Sequence, residues 1–545
     1  MSVDSWSTVR PERTVLAVVH NTTAATRLFD ILPLFAEDPR VETVFTCPGS
    51  SAFTAGTDEF LARAGITRLL PWRQALRHRP DFAIAASYGG DLHEISAPLM
   101  VVPHGMGYNK YLESNGISGV FGLSSPWLLH RGRPVPSVIV LSHAEQLTRL
   151  AEACPEAVGA ALVAGDPCFD RMLASRPLRE SYRQALGVRP HQRLVLVSST
   201  WGAASLYGSD PGLIARLAAQ LDLDSYRLAV ALHPNIAGRH SRWQVDRWLE
   251  DCVRAGVLVL PTEQLWGPAL VAADVTIGDH GSVSFYSAAL GTPLLLAAAP
   301  ADAVDPRSPV GRLLEVTPRL DRHAPPGPQL EHALSGPEPH GLAAITELTT
   351  SLPGKSAAVL RETIYRWLDL PPPRWAAETR ALPVPEVTVP HAHAQLVRVR
   401  LHDGEATVDR FPADALREPD LLPPDAHLVV DTREASVRLL DLADVLVHDG
   451  PPDPAQWVER TLGALPGCRL AAARTGGTSW LLGTADGMFI ELDDVSGPVA
   501  AFAALLLHRP PGRLQVVAGG RRYSAVATVV SRVRSAGLPS SRRET

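Results

Sequence analysis

Cysteine is scarce in this sequence, and its spacing argues against two classes of protein. No two of the five cysteines form a Cys-x-x-Cys pair. Disulfide-stabilised secreted domains and structural zinc sites need more numerous or more closely spaced cysteines. We therefore expect neither a disulfide framework nor a zinc site, and the composition fits a reducing compartment. The five are Cys47, Cys154, Cys168, Cys252 and Cys468.

Lysine is almost absent, since only Lys110 and Lys355 occur and all other basic residues apart from histidine are arginines. The 51 lysines and arginines are outnumbered by 57 acidic residues, which gives a formal net charge of −6. Such a balance produces no general attraction to nucleic acid, so we expect no nucleic-acid partner. We interpret the preference for arginine as a compositional bias.

Long apolar runs are missing as well. No uninterrupted apolar stretch reaches the ~20 residues that a membrane-spanning helix needs. The opening MSVDSWSTVRPER has no apolar segment of the kind that a secretory signal carries. The sequence therefore predicts a cytoplasmic protein, whose contact with a membrane would be peripheral, at the inner face. Its 545 residues are too many for one core and indicate roughly three units of ~150 to 200 residues.

Short apolar runs of buried-strand length alternate with helix-periodic segments as far as residue 300. This alternation is typical of α/β folds, in which helices cover both faces of a parallel sheet. We predict two doubly wound parallel-sheet domains, residues 12–165 and 166–370, that face each other across a cleft. The predicted strands include 14–20, 41–46, 68–70, 82–86, 99–102 and 137–142 in the first domain and 193–198, 227–232, 257–260 and 274–278 in the second.

The pattern weakens after residue 300. Residues 301–341 indicate a loop or flexible lid, and a helix before residue 370 is expected to pack back across both sheets. We predict a Pro-rich linker at 371–394, a small α/β domain without an assigned function at 395–530, and a disordered tail at 531–545.

Four aspartates end or flank predicted strands of the third domain. Aspartate at a strand end most often caps a turn or helix, and a cation site is the alternative interpretation. The four are Asp431, Asp441, Asp444 and Asp449.

The segment Asp279-His280-Gly281-Ser282 lies between a predicted buried strand and a predicted helix. Ligands collect at the carboxyl ends of parallel strands, and the free N–H groups of a following helix attract phosphate. Gly281 would let an anion approach the backbone, Ser282 and Ser284 offer hydroxyls, and His280 can donate to a phosphate oxygen. An ordinary helix cap beside a structural histidine is the alternative.

A second polar turn, residues 103–110, follows the predicted strand 99–102. His104 stands directly after the strand and is flanked by Pro103 and Gly105. A histidine in such a loop can accept a proton from a hydroxyl, and Lys110 can neutralise a nearby phosphate. The alternative is a surface or structural histidine.

Five short motifs, taken together, resemble the CDP-glycerol glycerophosphotransferase family of teichoic-acid and capsule polymer transferases. They occur in the family's order between residues 90 and 300. The motifs are His104-Gly105 with Lys110, Gly165-Asp166-Pro167 with Asp170, Ser199-Thr200-Trp201, His233-Pro234, and Asp279 with Ser282, Ser284 and Gly291-Thr292-Pro293.

The resemblance implies a GT-B architecture, with the acceptor on the first domain and a nucleotide-activated donor on the second. The family moves glycerol phosphate from CDP-glycerol to an acceptor hydroxyl, here of a polyol phosphate or a glycan, and releases CMP. By resemblance His104 is the base and His233 contacts the donor diphosphate, while Gly105 and Lys110 serve the acceptor or its phosphate. The predicted donor-binding residues are Thr200, Asp279, His280, Gly281, Ser282 and Ser284.

Three departures from the family pattern leave the donor open. Cys168 stands where the family has arginine, residues 202–204 are uncharged, and His280-Gly281 replaces an aromatic-Ser pair. A UDP-sugar glycosyltransferase, a nucleotide-sugar epimerase and a non-catalytic nucleotide-binding or scaffold protein are the alternatives. No Asp-x-Asp triplet ends a predicted strand in the first two domains, so we expect no metal and no cofactor.

Overall fold

The computed structural model describes residues 9–50, 56–112, 119–261, 265–300, 302–403, 405–415 and 426–532. Its strands form two parallel sheets, one closed barrel and a small hairpin. Residues 533–545, most of the predicted tail, lie outside the described residues. None of the helices within the described ranges is long and apolar enough to cross a membrane.

The first sheet consists of parallel strands buried on both faces. The strands before residue 165 are β1 (Arg13–Val18), β2 (Val41–Cys47), β3 (Leu69–Pro71), β4 (Phe82–Ala85), β5 (Leu99–Val101), β6 (Leu129–His130), β7 (Arg133–Pro134), β8 (Val138–Leu141) and β9 (Ala161–Val163). Seven of them form one sheet in the order β3-β2-β1-β4-β5-β8-β9, and β6 pairs with β7 in a hairpin. Val15 to Val18 are completely buried, because helices cover both faces of such a sheet.

The helices of this part connect the parallel strands. They are α1 (Thr22–Phe29), α2 (Thr57–Arg63), α3 (Trp72–Ala75), α4 (Ser125–Leu128) and α5 (Ala144–Ala153). Helix α1 begins directly after β1, where the Asn21 side chain accepts a hydrogen bond of 2.9 Å from the backbone N–H of Ala24. Such a cap satisfies one of the free amides of the first turn and fixes the start of the helix.

The second sheet repeats the same design with five parallel strands. Its strands are β10 (Arg193–Ser199), β11 (Tyr226–Leu232), β12 (Leu258–Val259), β13 (Val275–Gly278) and β14 (Leu294–Leu296), in the order β12-β11-β10-β13-β14. Its helices are α6 (Pro167–Ser175), α7 (Arg179–Ala185), α8 (Leu206–Ser209), α9 (Leu213–Gln220), α10 (Pro234–His240), α11 (Arg242–Trp248), α12 (Glu250–Arg254), α13 (Trp266–Ala272) and α14 (Ser282–Ala289). The predicted α/β class with two parallel sheets is confirmed.

Residues 301–341 contain helices, so the predicted loop or lid is wrong for much of this segment. The helices after residue 300 are α15 (Pro309–Val316), α16 (Pro326–Ser335), α17 (Leu342–Thr346) and α18 (Ser356–Trp367). Leu360, Ile364 and Tyr365 of α18 are completely buried in the core of the first sheet. The helix that follows the second sheet therefore returns to the first, as expected.

The Pro-rich segment 371–394 is docked along the second sheet. Leu382 and Val387 pack against the core of that sheet, and the backbone N–H of Leu382 donates to the Ser175 hydroxyl at 2.8 Å. The hydroxyl of Tyr182 donates to the Leu382 carbonyl at 2.6 Å. The predicted linker is therefore a strap with fixed contacts.

The region after this segment differs from the predicted small α/β domain. Its strands are β15 (Ala394–His402), β16 (Glu405–Pro412), β17 (Ala426–Asp431), β18 (Val445–His448), β19 (Leu470–Gly476), β20 (Ser479–Thr484), β21 (Met488–Asp493), β22 (Arg513–Ala518) and β23 (Arg521–Arg532). They close into a barrel in the order β15-β16-β22-β23-β21-β20-β19-β18-β17. Its helices are α19 (Val437–Asp441), α20 (Pro454–Ala464) and α21 (Val499–Leu506).

The apolar runs of this region predict strands at 396–401, 406–411, 427–431, 445–448, 479–482, 488–492 and 514–517. Two further strands account for the difference. Strand β19 links β18 to β20, and β23 links β21 to β22. The sequence of β19, LAAARTG, is rich in alanine, which has a weak preference for strands. The closure itself depends on pairing between distant segments, such as the bridge from Thr407 to Val517.

A buried ion pair attaches the barrel to the second sheet. The guanidinium of Arg410 on β16 donates to both carboxylate oxygens of Asp224, at 2.7 and 2.8 Å. The side chain of Asp224 is 0% exposed and that of Arg410 is 9% exposed. Asp222 accepts from the backbone N–H of Arg410 at 3.1 Å. The two-fold hydrogen bond between these charges exists only while the two units stay in contact.

We expect Arg410→Met to destabilise the protein by about 3–5 kcal/mol, because it leaves the buried Asp224 carboxylate with only the longer contact to Arg189, at 3.4 Å. Arg400→Met is the matched control, since Arg400 lies on the same hairpin and its partner is the more exposed Asp409. An exposed pair of that kind is worth about 0–1 kcal/mol. Urea denaturation of the full chain measures both losses, and equal losses would contradict the prediction.

Candidate functional site

A cleft lies where the carboxyl ends of strands from both sheets meet. It encloses about 210 Å³ and is lined mainly by the loops that follow β5, β10, β11 and β13, together with part of α1. Ligands of parallel sheets collect at this end of the strands. The lining includes His104, Gly105, Lys110, Thr200, His233, His280, Gly281 and Ser282. Eight of the ten residues predicted for the site are therefore brought together.

His104 is held as a neutral imidazole with a defined orientation. Its Nδ1 lies 3.0 Å from the backbone carbonyl oxygen of Ala86. Because a carbonyl can only accept a hydrogen bond, Nδ1 carries the proton and Nε2 keeps a free lone pair. Burial lowers the pKa of His104 to about 4, and Lys110 nearby contributes to the lowering. The ring therefore offers a proton acceptor to the cleft.

His233 is held as the opposite tautomer. Its Nδ1 accepts a hydrogen bond of 3.2 Å from the backbone N–H of Asn235, at the start of α10. The neutral ring must then carry its proton on Nε2, which becomes a donor. Burial, with Lys110 and His104 nearby, lowers the pKa of His233 to about 3. The cleft thus contains one histidine that can accept a proton and one that donates a hydrogen bond.

His280 is a third buried histidine, and its Nδ1 has no hydrogen-bond partner within the described part of the chain. The residue is only 5% exposed. Burial lowers its pKa to about 3, with a further contribution from Lys110. A buried polar atom without a partner is costly unless a ligand or water completes its bonding. His280 is therefore available to a ligand.

The buried carboxylate of Asp279 holds backbone segments that form the floor of the cleft. One carboxylate oxygen accepts from the backbone N–H groups of Thr200 at 2.8 Å and Leu206 at 2.9 Å, and the other accepts from Gly281 at 2.9 Å. The backbone N–H of Asp279 donates to Ser284 Oγ at 3.1 Å. Asp279 and Ser284 are each 1% exposed. Their predicted contact with the donor stays a prediction, and the geometry favours a positioning role.

Helix α14 points its first turn at the cleft. Gly281 is its N-cap residue and makes no side-chain cap, so the first amides of the helix have no acceptor within the helix. A Cβ added to Gly281 would lie 3.3 Å from the Thr200 Cβ, which indicates how closely the two loops approach. The turn can receive an anion, as predicted from its sequence.

Two polar contacts across the cleft join the loops of the two sheets. Lys110 Nζ donates to Thr200 Oγ1 at 3.0 Å, and the backbone N–H of Met106 donates to Ser282 Oγ at 3.1 Å. Gly105 has φ of +149°, and a Cβ there would lie 2.7 Å from Ser282 Oγ. Glycine at this position therefore permits the close approach.

Arg27 on α1 lines the cleft and was missed by the sequence analysis. Its Nη1 lies 3.1 Å from Asp30 Oδ2, and its guanidinium lies 5.6 Å from the ring centroid of Trp266 on the opposite side. In the sequence Arg27 is one charged residue of an amphipathic helix, bracketed by the buried Ala24 and Leu28. No motif marks it, and only its position in α1 directly after β1 was a usable signal.

The motif Gly165-Asp166-Pro167 and its companion Asp170 are structural. Asp166 caps α6 and accepts from the Tyr286 hydroxyl at 2.7 Å. Asp170 accepts from the backbone N–H groups of Gly354 at 2.6 Å and Ser356 at 3.1 Å, at the start of α18. These residues hold the helix that returns to the first sheet.

The four aspartates considered as cation ligands in the third domain lie apart from the cleft. Asp441 ends α19, and the other three have partners within the barrel: Arg433 for Asp431, Arg474 for Asp449, and the backbone N–H of Leu428 for Asp444. No group of three or more His, Cys, Asp or Glu residues among the described ranges could hold a metal ion.

Comparisons with known proteins find similarity in backbone alone. No family model and no curated protein matches the sequence. The wall teichoic acid polymerase TagF, in a structure soaked with CDPG, has a TM-score of 0.44 and 10% identity over 66% of this chain and 89% of that chain. The UDP-GlcNAc 2-epimerase of Methanocaldococcus jannaschii has a TM-score of 0.42 and 10% identity over 65% and 99%. S. aureus MnaA with UDP has a TM-score of 0.39 and 10% identity over 67% and 100%. At these values the likeness does not bear on the chemistry of the cleft.

The cleft histidines predict a loss of stability in mild acid. In the folded protein the pKa values of His104, His233 and His280 are about 4, 3 and 3, below the ordinary histidine value of 6.5. Between pH 6 and pH 4 the unfolded chain therefore binds protons that the folded chain does not. The free energy of unfolding should therefore decrease as the pH is lowered from 6 to 4, by about 1.4 kcal/mol per pH unit for each histidine.

In the His280→Asn variant the unfolded chain takes up about one proton fewer on acidification. The slope of its free energy of unfolding against pH should therefore be smaller than that of the wild type. Urea denaturation between pH 6 and pH 4 measures the slope. His402→Asn, at a side chain that is 91% exposed, should leave the slope unchanged. If both variants keep the wild-type slope, His280 does not resist protonation in the folded state.

Proposed function

We propose that the chain is a transferase that moves a polyol-phosphate unit, such as glycerol phosphate, from a CDP-activated donor to an acceptor hydroxyl and releases CMP. The observation that carries the proposal is that His104 and His233 are opposite tautomers in one cleft, beside the open first turn of α14. One group that accepts a proton and one that donates a hydrogen bond are what phosphoryl transfer requires in addition to positioning. The resemblance of five loop motifs supplies the choice of donor.

In the proposed step the acceptor hydroxyl gives its proton to His104 Nε2 while its oxygen attacks the phosphorus that carries the polyol. A new P–O bond forms, the bridging P–O bond of the diphosphate breaks, and CMP leaves with the bond electrons. The proton remains on His104 until solvent removes it. The negative charge of the bound phosphate raises the affinity of His104 for that proton, which counteracts the effect of burial on its pKa.

The donor diphosphate is proposed to lie at the first turn of α14. His233 Nε2–H, the amides of that turn and the hydroxyls of Ser282 and Thr200 can donate to its oxygens. His280 contributes a further ring nitrogen on the same side of the cleft. This assignment uses five of the predicted site residues directly, with Asp279 and Ser284 holding the loop behind them.

Product analysis tests the donor and the role of metal. We expect CMP after incubation with CDP-glycerol or CDP-ribitol and an acceptor, and we expect turnover to persist in excess EDTA, because protein groups neutralise the leaving charge. UDP-hexoses in parallel reactions should give no UDP. Formation of UDP without CMP would identify a UDP-sugar enzyme instead, and complete loss of turnover in EDTA would exclude the metal-free reaction.

Replacement of the two histidines tests their roles. His104→Ala should lower kcat on the order of 10²- to 10⁴-fold, as expected for loss of a general base. For His233 the informative change is His233→Asn, since asparagine keeps a good helix cap and removes the Nε2–H group. Steady-state kinetics and the melting temperature should be measured together.

His143→Ala is the matched control for His233. His143 caps α5 in the same manner, with Nδ1 accepting from the backbone N–H of Glu145 at 3.0 Å, and it lies outside the lining of the cleft. The His143→Ala variant should have a lower melting temperature than the wild type and the same activity. If a His104 or His233 variant retained more than half the wild-type rate, the role assigned to that histidine would be wrong.

A further inference from the structure

Burial lowers the pKa values of Lys110 and of the three cleft histidines. The histidines, whose pKa values fall to about 4, 3 and 3, supply no positive charge near neutral pH. Arg27 differs, because Asp30, Cys168 and Tyr286 nearby raise its pKa despite burial. A guanidinium also remains protonated in almost any protein site. Arg27 therefore keeps its positive charge, and it is the only arginine among the described residues that line the cleft.

The surroundings of Arg27 leave part of its bonding capacity open. Its Nη1 is buried and forms an ion pair with Asp30 Oδ2 at 3.1 Å that lacks the geometry of a hydrogen bond. The carboxylate of Asp30 is shared, since its Oδ1 accepts from Arg171 at 2.6 Å. The other nearby carboxylate, Asp166, is occupied by Tyr286 and by the amides at the start of α6. The guanidinium also lies 5.6 Å from the ring centroid of Trp266, within the range of a cation–π interaction.

Position 168 gives a second and independent observation. Cys168 stands where the resembling motif has arginine. Arg27 and Cys168 line the same small cavity, which adjoins Pro103 and Gly105 of the cleft. A positive charge is thus present in this region although the local motif lacks one.

We propose that Arg27 binds a phosphate group in the cleft and takes the place of the arginine missing at position 168. The ligand chemistry is a phosphate monoester or diphosphate, which comes either from the nucleotide donor or from a phosphorylated acceptor. This inference rests on the proposed function for the identity of these ligands. It assigns Arg27 the charge that the neutral histidines cannot supply.

Isothermal titration of the full chain tests the proposal with inorganic pyrophosphate, CDP, UDP, cytidine and glycerol 3-phosphate. Arg27→Gln should weaken binding of the phosphate-bearing ligands roughly 10- to 100-fold, as for loss of a charge-assisted hydrogen bond. Cytidine binding should not change. A loss confined to the nucleotides and pyrophosphate assigns Arg27 to the donor, and a loss confined to glycerol 3-phosphate assigns it to the acceptor.

Arg171→Gln is the matched control, because Arg171 shares Asp30 and lies outside the cleft lining. It should lose stability as Arg27→Gln does and keep its affinity for phosphate. Arg27→Lys keeps the pair with Asp30 and lacks the forked geometry. It therefore folds if Arg27→Gln does not, and its affinity for pyrophosphate should still fall by at least about fivefold.

The inference is overturned if both Arg27 variants bind every phosphate ligand within twofold of the wild type. It is also overturned if the wild type binds none of these ligands. A wild type that binds UDP in preference to CDP would contradict the proposed donor, and the Arg27 variants would then be judged with UDP. The two failures are thus distinguishable.

Discussion

One buried carboxylate joins the backbone segments that form the floor of the cleft. Asp279 accepts hydrogen bonds from the loop after β10, from the start of α8 and from the N-cap of α14. Burial raises the pKa of this group, and the three amides together with Lys110 oppose the rise. A carboxylate has two acceptor oxygens and can bind three amides at once, whereas asparagine, of the same size, has one acceptor oxygen with two lone pairs. The placement of Thr200 and Gly281 therefore depends on a residue that does not itself face the cleft.

The chemical character of the two principal histidines follows from their backbone partners. A carbonyl oxygen opposite His104 and an amide N–H opposite His233 require different tautomers. Both rings are kept neutral by burial. The cleft consequently combines an acceptor and a donor of the same residue type, without any charged group at either position. Arg27, Lys110 and the first turn of α14 are then the groups that can balance a phosphate.

The barrel contacts the second sheet and supplies none of the described residues that line the cleft. Among the described residues, those that line the cleft belong to the two sheets and their connections. The barrel instead meets the second sheet through Arg410 and Asp224, and the Pro-rich strap runs beside that contact, with Arg227 donating to the Pro390 carbonyl at 3.2 Å. This arrangement couples the stability of the second sheet to that of the barrel.

The strands of both parallel sheets were predictable, because the central ones contain continuous apolar runs that are buried on both faces, as in residues 15–18. The same pattern placed His104, His233 and the segment 279–282 at strand ends, where parallel topology brings them together. Other features depend on contacts between segments far apart in the chain. The tautomers of the histidines, the inward position of Asp279 and Ser284, the place of Arg27 opposite Trp266, and the closure of the barrel by β19 and β23 are of this kind. The sequence by itself determined the α/β pattern and which loops carry polar residues. Only the tertiary structure decided which of those residues face the cleft and in which protonation state, because burial and hydrogen-bond partners arise when distant segments meet.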